Sequence, residues 1–238
     1  GLLIGEFGEE HRDLVKINVV SEDLKNAIIA AEDERFYQHG GVDYLGVLRA
    51  AYSNLSSGVV RQGASTITMQ VARNFFLTRK KTLTRKFSEA LLAFKIEQSL
   101  SKDKILELYM NQIYLGQRSY GFASAARVYF GKKLSDISVA ESAMLAGLPK
   151  APSRYNPVVN PARAKTRQLY VLRRMAELKF ISDLQFKEAK KQELQVVYKK
   201  HRSREFPLRA DYVAEMVRQE VYERYKEETY TKGLRVYT

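Results

Sequence analysis

A mainly α-helical fold is predicted for this chain of 238 residues, and three features predict it. Apolar residues recur at spacings of three and four through most of its length, as on one face of an α-helix. Serines followed by acids stand where such patterns begin, as helix N-caps do. Glycine and proline punctuate the patterns instead of interrupting them.

Residues 1–20 read as irregular, with a short strand at Lys16–Val20. Ser21 caps the first helix, with Glu22 and Asp23 at its positive end. Leu24, Ala27, Ile28 and Ala31 form its apolar stripe, and Gly40–Gly41 close the segment. A second helix runs from Asp43 to about Leu55. SSGVVRQGAS, residues 56–65, is a polar loop. Helices follow at Thr66–Phe76, Thr82–Leu100 and Lys102–Leu115, the last capped by Ser101. Further helices are Gly121–Phe130, Asp136–Ala146, Ala162–Lys179 and Asp183–Glu193, with Gly131, Gly147 and Pro149 as breaks. QVVYK, residues 195–199, reads as a short strand. Arg209–Tyr225 is a last amphipathic helix, and the tail GLRVYT is β-like. There is no internal repeat or low-complexity segment.

Composition bounds the function. Hydrophobic residues make up 45% of the chain, enough for a packed core. Lys and Arg number 40 against 27 Asp and Glu, a formal charge of +13, which points to an anionic partner. Cysteine is absent, so disulfides and thiolate metal sites are excluded. No apolar run reaches the ~18–20 residues that span a bilayer. With Gly as residue 1, the chain is expected to be a fragment whose targeting segment lies outside it.

Two places concentrate chemistry. Leu24, Ile28, Glu32 and Phe36 stand in one i, i+4 row, so Glu32 falls in the apolar stripe while Glu34 points away. Partial desolvation there raises a carboxyl pKa and suits it to act as a base. The alternative is a structural Glu, paired with Arg35 or capping another element. Next, residues 44–88 contain no Asp or Glu but carry Arg49, Arg61, Arg73, Arg79, Lys80, Lys81, Arg85 and Lys86. Phe75, Phe76, Leu77 and Phe87 interleave with these cations, the composition of a surface that meets anionic headgroups. Arg85, Lys86, Glu89, Ala93 and Glu97 share one helix face, and Leu83, Phe87, Leu91 and Phe94 are expected on the opposite, core-facing side. Two cations around one acid can hold a pyrophosphate, or form a surface ladder.

Five blocks in order then carry a resemblance. They are EDERFYQHGGV (Glu32–Val42), GASTITMQVARN (Gly63–Asn74), RKFSEALLAFKIE (Arg85–Glu97) and KILELYMNQIYLG (Lys104–Gly116), followed by GFASAARVYFGK with AESAMLAGLPKAPSRYNP (Gly121–Lys132 and Ala140–Pro157). Over roughly residues 20–180 the chain resembles glycosyltransferase family 51, the peptidoglycan glycosyltransferase domain of bifunctional, class A penicillin-binding proteins.

The resemblance implies a lysozyme-like fold with a large lobe, a smaller membrane-facing lobe and a cleft between them. It implies a glycosyltransferase domain over residues 1–200, with 201–238 as a C-terminal helix and the start of a linker to an absent transpeptidase domain. Its reaction is polymerisation of lipid II into β-1,4-linked strands by one inverting displacement that releases undecaprenyl pyrophosphate. Glu32 maps onto the base, Glu89 onto the second essential acid and Asp33 onto the base's partner. Gln70, Arg73, Arg85 and Lys86 map onto the donor pyrophosphate subsite, with Arg167 beside them. Asn111 and Tyr114 map onto the cleft wall. His39, Ser65, Thr66 and Asn74 fall in the same substrate-binding blocks. No cofactor is obligatory, although a divalent cation (Mg or Mn) can accompany the pyrophosphate, and no resident metal is implied. The implied partners are lipid II, the growing glycan strand and an anionic membrane surface, with no nucleic acid. The implied location is the extracytoplasmic face of a bacterial cell membrane, the full-length protein carrying an N-terminal transmembrane helix. The family is also a moenomycin target.

Two rivals are weaker. A lytic hydrolase expels an uncharged leaving group through a general acid and needs no cations beside its second carboxylate. A basic nucleic-acid binder needs neither Glu32 nor Glu89.

Overall fold

The computed structural model describes residues 11–49, 65–76, 83–197 and 211–226, with residues 229, 234, 236 and 237. Arg12–Val197 form one compact unit, and residues 198–238 belong with 1–11 to another. The predicted loop at 56–64, the end of the second helix at 50–55 and half of the GLRVYT tail lie outside the described residues.

The first unit is helical. Its helices are α1 (Glu22–Glu32), α2 (residues 44–49), α3 (Ile67–Phe76), α4 (Leu83–Ser99), α5 (Lys102–Gln112), α6 (Phe122–Phe130), α7 (Val139–Gly147), α8 (Pro161–Glu177) and α9 (Asp183–Lys191). In the other unit, α10 covers Asp211–Tyr225.

The caps act as the sequence indicates. Ser21 accepts from the Leu24 amide and Ser101 from the Lys104 amide. Ser138 and Ser182 head reciprocal capping boxes with Glu141 and Gln185. Such caps contribute about 1 kcal/mol each. Ser138 also corrects a boundary. The predicted helix from Asp136 begins at Val139, because Leu134–Asp136 turn in a 3-10 helix first.

The core gathers around α7, where every residue from Ala140 to Gly147 is buried. Helix α1 packs on α7 and α8, burying Leu24, Ala27 and Ile28 fully. A fully buried Leu or Ile stabilises by roughly 1.5–3 kcal/mol. Helix α3 packs on α4 and α5.

Four further expectations are corrected. Lys16–Val20 is not a strand; Ile17–Val19 form a 3-10 turn. Residues 195–197 form no strand, although the Val197 amide bonds the Tyr129 carbonyl at 2.8 Å. Helix α1 stops at Glu32, because Asp33 turns out of the helix with φ −161°, so Phe36 is buried from a turn and not from the helical row. Helix α4 is inverted: Glu89 and Ala93 are buried at 1% and 0% exposure, whereas Phe87 and Leu91 are 67% and 50% exposed. Its polar face packs inward on α3, and Phe87 and Leu91 lie outside.

Candidate active site

Helix α1 ends at Glu32, and that end opens on a cavity of about 640 Å³. Glu32, Asp33, Ser65, Thr66, Gln70, Arg73 and Arg167, all singled out from the sequence, line it.

Glu32 keeps only part of its surface toward the cavity. Burial raises its pKa above the ordinary 4.5, opposed first by the Gln70 hydrogen bond and then by the charges of Arg167, Lys150 and Arg73. Gln70 Nε2 donates to Glu32 Oε2 at 2.9 Å. A carboxyl so balanced can hold charge and still take a proton. Arg35 pairs with Asp43, so the alternative of a Glu32–Arg35 pair is not what the structure shows.

Asp33 looks the other way. Its carboxylate meets His39 Nε2 at 2.9 and 3.0 Å and accepts the Ile67 amide at 3.0 Å, at the start of α3. Thr66 Oγ1 donates to the Gly41 carbonyl at 2.5 Å and accepts the Met69 amide at 3.1 Å. Asp33, His39 and Thr66 therefore brace the backbone on which Glu32 and Gln70 stand.

Glu89 is bracketed by cations. Arg85 Nε lies 3.1 Å from Oε1, and Lys86 Nζ lies 2.8 Å from Oε2. Lys86 Nζ also donates to Ser65 Oγ at 2.6 Å, which joins this cluster to the cavity lining. Charge-assisted contacts of this kind are short and strong.

Arg167 is 8% exposed. Its guanidinium stands 4.5 Å over the Tyr170 ring, and Nε donates to the Gly147 carbonyl at 3.4 Å. Gly147 makes room for it, since a Cβ there would sit 2.8 Å from Arg167 Cγ. None of Arg73, Lys150 and Arg167 pairs with a described carboxylate.

Seven predicted residues are not in this lining: His39, Arg85, Lys86 and Glu89, placed above, and Asn74, Asn111 and Tyr114. Asn74 is exposed at the end of α3. Asn111 exchanges two hydrogen bonds with the Val15 backbone, at 2.8 and 2.9 Å. Tyr114 packs its ring 5.1 Å from that of Tyr120. The structure adds others. Lys150 lines the cavity, and Glu34, expected to point away, turns into it to pair with Arg49 and Arg174. Arg167, Tyr170, Arg174 and Glu177 form an i, i+3, i+7, i+10 stripe on α8, a pattern that the sequence contains. Among the described residues no group of three or more His, Cys, Asp and Glu could hold a metal, and no helix is long and apolar enough to cross a membrane.

Comparison with known proteins gives a consistent result. Residues 1–176 match the family described as Transglycosylase. The chain is 61% identical over 241 residues to Penicillin-binding protein 1A of Neisseria lactamica, covering 100% of itself and 29% of that protein. It is 48% identical over 238 residues to Penicillin-binding protein 1A of Pseudomonas aeruginosa, again covering 29% of it. The crystal structure of Penicillin-Binding Protein 1A from Haemophilus influenzae is similar, at 33% identity and a TM-score of 0.53, over 96% of this chain and 24% of that one. The chain thus spans less than a third of the length of the curated relatives it matches.

Proposed function

The chain belongs to the transglycosylase family, as a peptidoglycan glycosyltransferase, and we propose that it polymerises lipid II into β-1,4-linked glycan strands. The observation that carries this reading is a carboxylate of raised pKa beside cations that no described carboxylate neutralises. That arrangement suits an acceptor hydroxyl on one side and a departing pyrophosphate on the other.

In the proposed step, Glu32 takes the proton from the 4-hydroxyl of the acceptor GlcNAc. That oxygen attacks C1 of the donor sugar, forming the new C1–O bond. The bond from C1 to the pyrophosphate oxygen breaks from the opposite face, so the α-linked donor becomes a β-linked product. The leaving undecaprenyl pyrophosphate carries away the electron pair. Arg85, Lys86 and Arg73, with Gln70, hold that group, and Arg167 adds charge beside it. Developing negative charge in a partly dry site is stabilised strongly by fixed cations. Glu89 keeps Arg85 and Lys86 oriented.

The substrate's polyprenyl tail stays in the bilayer, so the domain works at the extracytoplasmic membrane face of a bacterium. Phe75, Phe76, Phe87 and Leu91, all exposed, suit contact with lipid there, on the smaller lobe of a lysozyme-like cleft. In the full-length protein we expect an N-terminal transmembrane helix and a transpeptidase domain after α10. Incubation with lipid II, followed by gel analysis for polymer, tests the reading. Absence of polymer from the wild-type chain in detergent or liposomes would overturn it.

A further inference from the structure

Lys102 stands at the first position of α5, apart from the cavity lining, yet it joins three segments that carry the site. Its ammonium donates to the His39 carbonyl at 2.6 Å and to Glu97 Oε1 at 2.7 Å. It also sits 4.5 Å over the ring of Phe36, which is fully buried. Glu97 Oε1 in turn accepts from Thr68 Oγ1 at 2.6 Å, on α3. The turn after Glu32, the end of α4 and the start of α3 therefore meet at one cation.

Each of these segments leads to a reacting group. His39 holds Asp33, the residue next to Glu32. Thr68 lies two residues before Gln70, the donor to Glu32. Glu97 lies two turns after Glu89 on the same face of α4, since 89, 93 and 97 follow at i+4. Rotation of α4 about its axis would move Glu89, Arg85 and Lys86 together. Gly41 shows how closely the turn and α4 approach: with φ +88°, a Cβ there would lie 3.0 Å from the Ala93 backbone. The contact has no side chain to key its register, and the Lys102–Glu97 pair supplies one.

We propose that Lys102 is a positioning residue that locks α4 against the turn after Glu32, and so sets the spacing between the proton acceptor and the cation cluster at Glu89. The proposal rests on the glycosyltransferase reading, because the spacing matters only if both centres act on one pair of substrates. A misplacement of about 1 Å can cost on the order of 10²-fold in rate while binding is retained. Lys102 touches none of the reacting atoms.

The experiment uses the whole chain in detergent with lipid II. Lys102→Met keeps the stem that covers Phe36 and removes the charge; Lys102→Arg retains a cation; Glu97→Gln weakens the other end of the pair. Lys102→Met should lower kcat by about 10- to 100-fold with KM changed less than about twofold. Glu97→Gln should do the same to a smaller degree, and Lys102→Arg should recover most of the rate. Equal kcat in Lys102→Met and wild type would overturn the proposal. So would a rate loss in Lys102→Met and Glu97→Gln that follows only the unfolded fraction in thermal melts. An inactive wild-type chain would instead count against the glycosyltransferase reading itself.

Discussion

Gln70 donates its side-chain amide to Glu32 Oε2 at 2.9 Å, across 38 residues of sequence. The bond ties the end of α1 to the middle of α3 and favours the charged form of the acid. It works against burial, which raises the Glu32 pKa and is the larger influence. The two together define what Glu32 does when it is altered.

Glu32→Gln should retain the fold and lose polymerisation by about 10²–10⁴-fold, because an amide accepts no proton in the transition state. It should also be more stable than wild type at neutral pH. A raised folded-state pKa contributes stability that is fully present below 4.5, the ordinary value, and is lost as pH rises through the folded value. The wild type loses that contribution progressively as pH rises above 4.5, whereas the amide never ionises. Thermal melts of both proteins from pH 4 to pH 8 check the sign, with the gap expected to widen upward. Polymer yield near wild type from Glu32→Gln would remove Glu32 from the base's role.

Gln70→Leu removes the largest influence that holds the Glu32 pKa down. The acidic limb of the pH–rate profile should then move to higher pH, since more of the acid stays protonated near neutrality. Activity should recover in part as the pH is raised. Profiles of kcat/KM with lipid II measure the displacement, and an unmoved acidic limb would separate Gln70 from the base.

Lys86 connects Glu89 at 2.8 Å to Ser65 at 2.6 Å. Lys86→Ala should weaken binding of a pyrophosphate-bearing donor mimic about 10-fold or more, the scale of a charge-assisted hydrogen bond. Glu89→Gln should lower turnover more than acceptor binding, because it releases the cations without removing them. Isothermal titration with the mimic, set beside steady-state kinetics, tells the two apart.

The helices were legible from the sequence because their signals are local. Ser21 and Ser101 sit where caps belong, and the structure shows both accepting the expected amides. Glu32 stood out because it falls in an apolar row, and Glu89 because it ends a stretch without acids and has two cations beside it on its own helix. The inverted face of α4 was not, since period alone gives two faces and does not say which one packs. Ala90, Ala93 and Glu97 held the information, but only as a contrast with Phe87 and Leu91. Glu34 was misdirected for another reason: the 100° rule was extended past Asp33, where the helix had already ended. Lys102 carried no signal at all, because its partners come from residues 36, 39 and 97 and only the fold brings them together.

The exposed face of α4 leads to the last prediction. Phe76 is 64% exposed and Phe87 67%, on the two sides of residues 77–82, which lie outside the described residues and carry Arg79, Lys80 and Lys81. Apolar insertion and headgroup attraction would act together there, with each cation near an anionic surface contributing about 1 kcal/mol. Phe76→Ser with Phe87→Ser should therefore reduce binding to liposomes rich in anionic lipid. Neither ring is buried, so the change in folding stability should stay within roughly 0.5 kcal/mol per site. Added salt should weaken the remaining binding, because screening acts on the cationic part alone. Co-sedimentation with anionic and neutral liposomes, set against urea melts, measures both terms. Unchanged sedimentation by the double variant would place membrane contact on another surface, and a large loss of stability would show that these rings pack against the protein in solution.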